Sequence, residues 1–295
     1  MSKTENYEKI TAQIIAMLEE GTIPWRKPWS VAGLGATSLS TGKAYRGVNS
    51  FLLGATGMIR GYGSPYWGTY KQINERGGQI RKGEKSTTVV LWKPFEATDA
   101  DGEPVTRFFM TTFNVFNAEQ ADWADGTMPT VPEMAEHNPI EAAEAIASGY
   151  LADGPAISFG SAMACYSPAA DAIAMPPMGA FETPEGYYAT LFHEMAHSTG
   201  HASRLSRDGV TEGHRFGDAD YSREELVAEL SAAFLCDVAG IEPDATLPNA
   251  AAYVKGWLRA LMDDPKMIVE AAGKAQKAAD YVQGIGVPKE EERAA

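Results

Sequence analysis

The sequence predicts an α+β chain of two domains, and three observations carry that prediction. The first is a charge split. Residues 1–118 hold 14 Lys+Arg and 10 Asp+Glu, a net +4, while residues 119–295 hold 11 and 29, a net −18. The second is the stretch "EQADWADGTMPTVPEMAEHNP", acidic and broken by Pro129, Pro132 and Pro139, which has the composition of a linker. The third is a change of pattern at Ile140, from strand-rich alternation to long helical spacing. The expected organisation is a first domain over 1–120, a linker over 121–139 and a second domain over 140–295.

The elements follow in order. Ile10, Ile14, Met17 and Leu18 share one helical face, and Gly21 with Pro24 stops that helix. "TSLSTGKAYRGVNSFLL" predicts a short strand, a turn and a helix opening near Asn49. Ser64 and Pro65 read as N-cap and first helical position of a helix that ends at Gly77-Gly78. "KSTTVVLWKPF" and "VTRFFMTTFNVFN" are β-branched and aromatic, with a "DADGEP" turn between them, and predict a hairpin. In the second half, "IEAAEAIASGYL" is helical, and "AISFGSAMACYSPAADAIAMPP" reads as strand, turn and strand. "TPEGYYATLFHEMAHSTG" is a helix with Thr183 as N-cap, Pro184 in its first turn and Gly200 at its end. "YSREELVAELSAAFLCDVAG" and two Ala-rich helices, around Trp257 and over Ala271–Tyr281, complete the chain.

No run of 18 uncharged apolar residues is present, and the first residues are polar and acidic, so the chain is expected to be cytoplasmic and to avoid membranes. Cys165 and Cys236 sit in apolar contexts and read as buried thiols; two cysteines give no disulfide framework. A monomer is the default expectation.

His193-Glu194-Met195-Ala196-His197 fits H-E-x-x-H. Four residues apart on a helix, two imidazoles project from one face toward one ion. Glu194 stands beside the first, placed to take a proton from an attacking water and pass it to a leaving amine. A catalytic zinc takes three protein ligands and keeps one position open, so one ligand is missing. His201 follows Gly200, which ends the helix, and in an unbroken helix it would lie about 11 Å from His193; that disfavours it as the third ligand without excluding it, and the other reading has it line the cleft. The later helix offers Glu224, Glu225 and Glu229. Ser222-x-x-Glu225 reads as a capping box and Glu224 as a first-turn acid matched to the helix dipole. Glu229 lies among Leu226, Val227, Leu230 and Phe234, where an unpaired carboxylate would be costly. Glu229 is therefore the expected third ligand and Glu225 the runner-up. The expected cofactor is Zn2+, with another divalent transition metal as the alternative.

Gly21–Phe95 holds 11 basic residues against Glu75 and Glu84. Bases and aromatics interleave there: Trp25, Arg26, Lys27, Trp29, Lys43, Tyr45, Arg46, Tyr66, Trp67, Tyr70, Lys71, Arg81, Lys82 and Lys85. Rings can stack on unpaired bases while Lys and Arg follow phosphates, so single-stranded DNA is the expected partner and these are its expected contacts. No zinc finger or helix-turn-helix pattern favours duplex reading.

Taken together, "IPWRKPW", "YRGVN", "SPYWGTYKQINERGGQIRKGEKSTTVVLWKP" and "FNVFN", followed by "YSPAADAIAMPP", "YYATLFHEMAHSTGH", "SRL", "YSREELVAEL" and "AADYV", resemble the ArdC family of plasmid antirestriction proteins over nearly the whole chain. The resemblance implies an N-terminal single-stranded-DNA-binding domain and a C-terminal zincin-like, gluzincin-type metallopeptidase domain. It implies a role in conjugation, where incoming DNA must escape restriction. Carried over by position, it implies metal ligation by His193, His197 and Glu229 with Glu194 as general base, and a host protein as substrate. By similarity to zincins, "DAIAMPP" reads as the edge strand that pairs with a peptide; the other reading is a hairpin strand that Pro176-Pro177 merely ends, and the sequence does not decide between them. Against this DNA-tethered peptidase stand two alternatives. One is a non-catalytic shield for single strands with a structural or vestigial metal site. The other is an acidic decoy, disfavoured because the acids are spread over several helices. Glu194 favours catalysis, since a structural site has no need of a base.

Overall fold

A computed structural model describes residues 3–25, 35–98, 102–130, 138–211, 219–242 and 250–286. It divides into two compact units. The first comprises 1–24, 29–133 and 251–269, the second 25–28, 134–250 and 270–295. The main changeover between the units, at 133/134, falls within the 121–139 stretch read as linker, and each unit also takes in a segment that simple colinearity would assign to the other.

The first unit opens with α1 (Lys3–Glu19), β1 (Thr37–Ser38), α2 (Val48–Arg60), β2 (Tyr66–Gly68), α3 (Tyr70–Glu75), β3 (Gly78–Ile80), β4 (Thr87–Thr98), β5 (Pro104–Asn117) and β6 (Ala121–Trp123). A four-stranded sheet runs β1-β2-β5-β4, with β1 parallel to β2 and the other pairs antiparallel. A separate ribbon pairs β3 with β6. α1 buries Ile10, Ile14 and Leu18, and the chain turns at Gly21 with φ 80°, a left-handed value that suits glycine.

Two expectations are corrected in this unit. The Ser64-Pro65 pair does not start a helix, because their carbonyls accept from Asn117 Nδ2 and Thr37 N, which holds the segment extended into β2. The helix starts instead after Thr69, whose hydroxyl accepts from Gln72 N while its own N–H donates to Gln72 Oε1. The supposed linker also begins as structure: β6 folds Trp123 against Gly78, where an added Cβ would lie 2.7 Å from Ile73 and 2.9 Å from the indole.

β4 and β5 form the expected hairpin, in register from Thr87↔Val115 to Thr98↔Pro104. Its base is core: Val89 and Val115 pack with Ala36, Leu53 and Trp67. On β4, two side-chain amides cover the edge. Gln13 donates to Thr88 O and accepts from Thr88 N, and Asn49 does the same at Val90 at 2.8 and 2.9 Å. Such cover blunts an exposed edge. Pro94 has the same parity as Thr88 and Val90, so its missing N–H falls on the unpaired side. Beyond Val90, β4 leaves the core, while Met110 opposite Trp92 on β5 is still buried.

The second unit contains α4 (Pro139–Leu151), β7 (Ala156–Phe159), β8 (Cys165–Ser167), β9 (Ala172–Met175), α5 (Pro184–Thr199), α6 (Asp208–Thr211) and α7 (Ala219–Ala239). α8 (Ala250–Asp263) lies almost wholly in the first unit, and α9 (Met267–Val282) mainly in the second. Thr11 Oγ1 donates to Pro265 O in the first unit, and Ser231 Oγ donates to Ala275 O in the second. Thr183 caps α5 as expected, accepting from Gly186 N.

The small sheet is ordered β7-β9-β8, with β7 parallel and β8 antiparallel to β9. Of the two readings of "DAIAMPP", the edge strand does not hold: β9 is the central strand, paired on both sides. Its apolar residues explain this: Ile173 and Met175 are fully buried. The edges are β7 and β8. Cys236 is buried, but Cys165 is exposed on β8, contrary to expectation; both are free thiols. The fold is α+β, as predicted. Among the described residues no helix is long and apolar enough to cross a membrane.

Trp67, expected among the DNA contacts, is 2 % exposed at the centre of the first core, edge-on to Tyr62. Trp67→Ala is expected to destabilise the first unit by about 3–5 kcal/mol, seen as a lower melting temperature. An unchanged melting curve would place the ring outside the core.

Candidate metal centre

α5 and α7 pack against each other through Leu191, Phe192, Met195, Leu226, Val227 and Leu230, all buried. His193 and His197 project from α5 with their Nε2 atoms 3.1 Å apart. The carboxylate that meets them is Glu225, at 3.6 Å from His193 Nε2 and 3.4 Å from His197 Nε2. These three offer ligand atoms within 4.8 Å of one another. Ligands at zinc bond lengths on a tetrahedron stand about 3.4 Å apart. Two imidazoles and a carboxylate at these separations fit a divalent cation.

Glu229, expected to be the third ligand, is placed elsewhere. It lies one turn further along α7, about 6 Å of helix rise away. Its Oε2 accepts from the indole Nε1 of Trp25 at 3.0 Å. Trp25 is 1 % exposed and belongs to the second unit with α7. Glu229 is half-buried, and an indole N–H helps to satisfy the carboxylate that its apolar neighbours suggest would need a metal. The capping-box reading of Glu225 is corrected too: α7 is helical from Ala219, so Ser222 lies inside the helix.

Glu224 is buried beside this group. It takes a two-pronged bond from Arg207, Nε to Oε2 at 2.9 Å and a terminal nitrogen to Oε1 at 2.5 Å, and its Oε1 stands 3.3 Å from His197 Nδ1. Arg207 also donates to Thr199 Oγ1 and Ala196 O on α5. Burial alone would raise the Glu224 carboxyl, but Arg207 and His197 outweigh it and hold it below the ordinary range. Glu225 is likewise opposed by burial and held well below that range by the two histidines. At His197 burial works against charge, yet Glu224 and Glu225 raise the ring to about 9. This pocket favours a positive charge at its centre. Gly200 is required by close approach, since a Cβ there would lie 2.5 Å from Val210 and 2.9 Å from Arg207.

The site opens into a cavity of about 470 Å3 lined by Cys165, Tyr166 and Pro168 on one side and His193, Glu194, His197 and Glu225 on the other. Glu194 is 8 % exposed. Tyr166 donates to Asp171 at 2.8 Å, and Arg204 holds Asp171 through both carboxylate oxygens. Burial and then Asp171 push the Tyr166 phenol up. Asp171 adopts φ 45° at the β8–β9 turn, a conformation tolerated by Asp. His201 lies outside the ligand group, with Nδ1 2.8 Å from Ser203 Oγ and 4.0 Å from Asp171.

The expected DNA contacts divide into three groups. Arg26, Lys27 and Trp29 lie outside the described residues. Trp25 and Trp67 are buried, so neither ring presents a face to a base, and Tyr45 and Tyr66 are half-buried against the two small cores of the first unit. Lys43, Arg46, Tyr70, Lys71, Arg81, Lys82 and Lys85 are exposed. Lys71 pairs with Glu75, and Arg81 with Glu84 and Asp122. The residues that sequence reasoning passed over are Arg207, hidden in a loop, and Phe95, Phe108 and Phe109 on the hairpin, read only as strand.

Two family models match the chain: "N-terminal domain of anti-restriction factor ArdC" over residues 4–116, and "Zincin-like metallopeptidase" over 141–274. The "Uncharacterized protein y4eC" of Sinorhizobium fredii (strain NBRC 101917 / NGR234) is 38% identical over 290 residues, covering 95% of this chain and 92% of that protein. Two proteins named DNA primase TraC from Escherichia coli are 38% identical over 300 residues, but the chain spans only 27% and 20% of their lengths. Crystal structures of the antirestriction ArdC protein from plasmid R388 are 41% identical, each covering 94% of this chain. The metal-free form has TM-score 0.71 with 96% of its own chain covered, and the Mn(II)-bound form 0.72 with 97%.

Removing one member of a buried, hydrogen-bonded ion pair strands the other. Arg207→Ala is expected to destabilise the second unit by about 3–5 kcal/mol, with a clear fall in melting temperature by calorimetry. A shift near zero would mean that Glu224 finds another partner or is not buried in solution.

Proposed function

The chain belongs to the ArdC antirestriction family, and from that premise we propose that it protects incoming plasmid DNA from host restriction during conjugation. In this reading the first unit binds single-stranded DNA, and the second is a zinc metallopeptidase that hydrolyses a protein substrate. The observation that carries the catalytic part is the convergence of His193, His197 and Glu225 on one point, with Glu194 in the wall of the same cavity.

His193, His197 and Glu225 would hold the cation. When bound, a divalent metal supplies Lewis acidity to a carbonyl and acidifies a water. The chain's own residues do the rest. Glu194 accepts a proton from the attacking water and delivers it to the departing amine. Glu224 fixes the His197 ring through Nδ1, which leaves Nε2 on the side of His193 and Glu225 where a cation would be held, and Arg207 fixes Glu224. Tyr166, anchored by Asp171 and Arg204, shapes the opposite wall. β8 is an edge strand at the mouth of the cavity, where unpaired backbone groups can receive an extended peptide.

Zinc is the proposed metal because two imidazoles and a carboxylate suit it; Mn(II) occupies a relative's structure. For the first unit, the family match and the exposed Lys43, Arg46, Lys82 and Lys85 support DNA as partner.

Glu194→Gln is expected to keep stoichiometric zinc and lose activity by about 10²-fold or more on a denatured protein substrate. Full activity in that variant would sink the mechanism. Affinity for a single-stranded oligonucleotide should fall steeply between about 50 and 200 mM salt. Salt-independent binding would argue against phosphate contact.

A further inference from the structure

The β4–β5 hairpin continues past its buried base as a two-stranded arm. Val89 is fully buried and Val90 nearly so, but Leu91, Trp92 and Phe95 are 41–42% exposed, and Phe108 and Phe109 are 58% and 47% exposed. Leaving this many large rings in water is unfavourable, and a patch of this kind marks an interaction surface.

Residues paired across antiparallel strands share a face. The register therefore sorts the arm into two faces. On one, Leu91 stands opposite Thr111, Lys93 opposite Phe109, and Phe95 opposite Arg107. Ring and cation alternate along each strand and across the pair. The Phe95 and Phe109 rings are in contact, with centroids 5.9 Å apart. No carboxylate occurs on this face between Leu91 and Phe95 or between Arg107 and Thr111. The opposite face holds Trp92, Pro94 and Phe108, with Met110 opposite Trp92 still buried, together with Glu96, whose carboxylate accepts from Thr106.

Building on the DNA-binding reading above, we propose that the Lys93–Phe95–Arg107–Phe109 face of this hairpin is where single-stranded DNA docks, with bases on the two rings and phosphates on the two cations. The chemistry selects this occupant. A purely apolar partner would bury Lys93 and Arg107 without a counter-charge, which is costly. Duplex DNA admits a two-stranded ribbon to its major groove, but base edges there are read by hydrogen-bonding side chains and offer rings nothing to stack on. Unpaired bases offer π-faces, and a polyanion satisfies the cations. Proline at position 94 and the side-chain amides at Thr88 and Val90 leave the arm's faces, rather than its β4 edge, as the binding surface.

The test uses the full chain and a fluorescent oligothymidylate, followed by anisotropy. Phe95→Ala/Phe109→Ala is expected to weaken binding by roughly tenfold or more, with an unchanged melting temperature because both rings lie beyond the core. Phe95→Tyr/Phe109→Tyr should bind as the wild type does. If the wild type binds and the Ala pair binds equally well, the hairpin assignment is overturned while the DNA-binding reading stands. If the wild type binds no single strand, both fall. If the Ala pair loses affinity for duplex but not for single strand, or changes the oligomeric state rather than DNA affinity, the single-strand assignment is overturned.

Discussion

The buried fork between Arg207 and Glu224 is the interaction on which the second unit depends. Arg207 comes from the loop after α5 and reaches back to Ala196 O and Thr199 Oγ1 while holding Glu224 of α7. It thereby locks the rotation of α7 against α5. Apolar packing alone would not do this, since α7 is buried on most sides and a rotated helix would still present apolar residues. With Glu224 fixed against His197 Nδ1, the next residue, Glu225, faces the two Nε2 atoms. The same constraint turns Glu229 to the Trp25 indole. Gly200 is part of the arrangement, because any side chain there would displace the guanidinium.

Much of this was legible in sequence, for identifiable reasons. H-E-x-x-H on a capped helix fixes two imidazoles by local geometry alone, and local geometry is what a sequence encodes most directly. The third carboxylate is a tertiary matter. Choosing among Glu224, Glu225 and Glu229 required the start of α7, which lies upstream of Ser222, and the partner of each acid. The burial argument for Glu229 was sound in form but lacked a donor 204 residues away in sequence. Arg207 gave no signal, as a single arginine in a polar loop reads as solvated.

The first unit shows the same division. The hairpin followed from β-branched runs around a turn, but aromatic residues in a strand do not announce whether they face a core or water. Trp67 and Phe109 look alike in sequence; one is 2 % exposed and the other 47%. What separates them is how far along the hairpin the core extends, set by Val89, Val90 and the amides of Gln13 and Asn49. The interleaving of basic residues and rings does not separate exposed from core positions, and two of its tryptophans, Trp25 and Trp67, are buried. The place of "DAIAMPP" in its sheet was undecidable from sequence for a related reason, because strand order depends on β7, which pairs parallel to β9 from 16 residues upstream.

The claim that α7 supplies Glu225 to the metal is tested most directly by zinc titration calorimetry on Glu225→Gln and Glu229→Gln, each checked for folding. The account predicts that Glu229→Gln still binds one zinc per chain and that Glu225→Gln does not. Stoichiometric zinc in Glu225→Gln together with its loss in Glu229→Gln would contradict it and return the third ligand to Glu229.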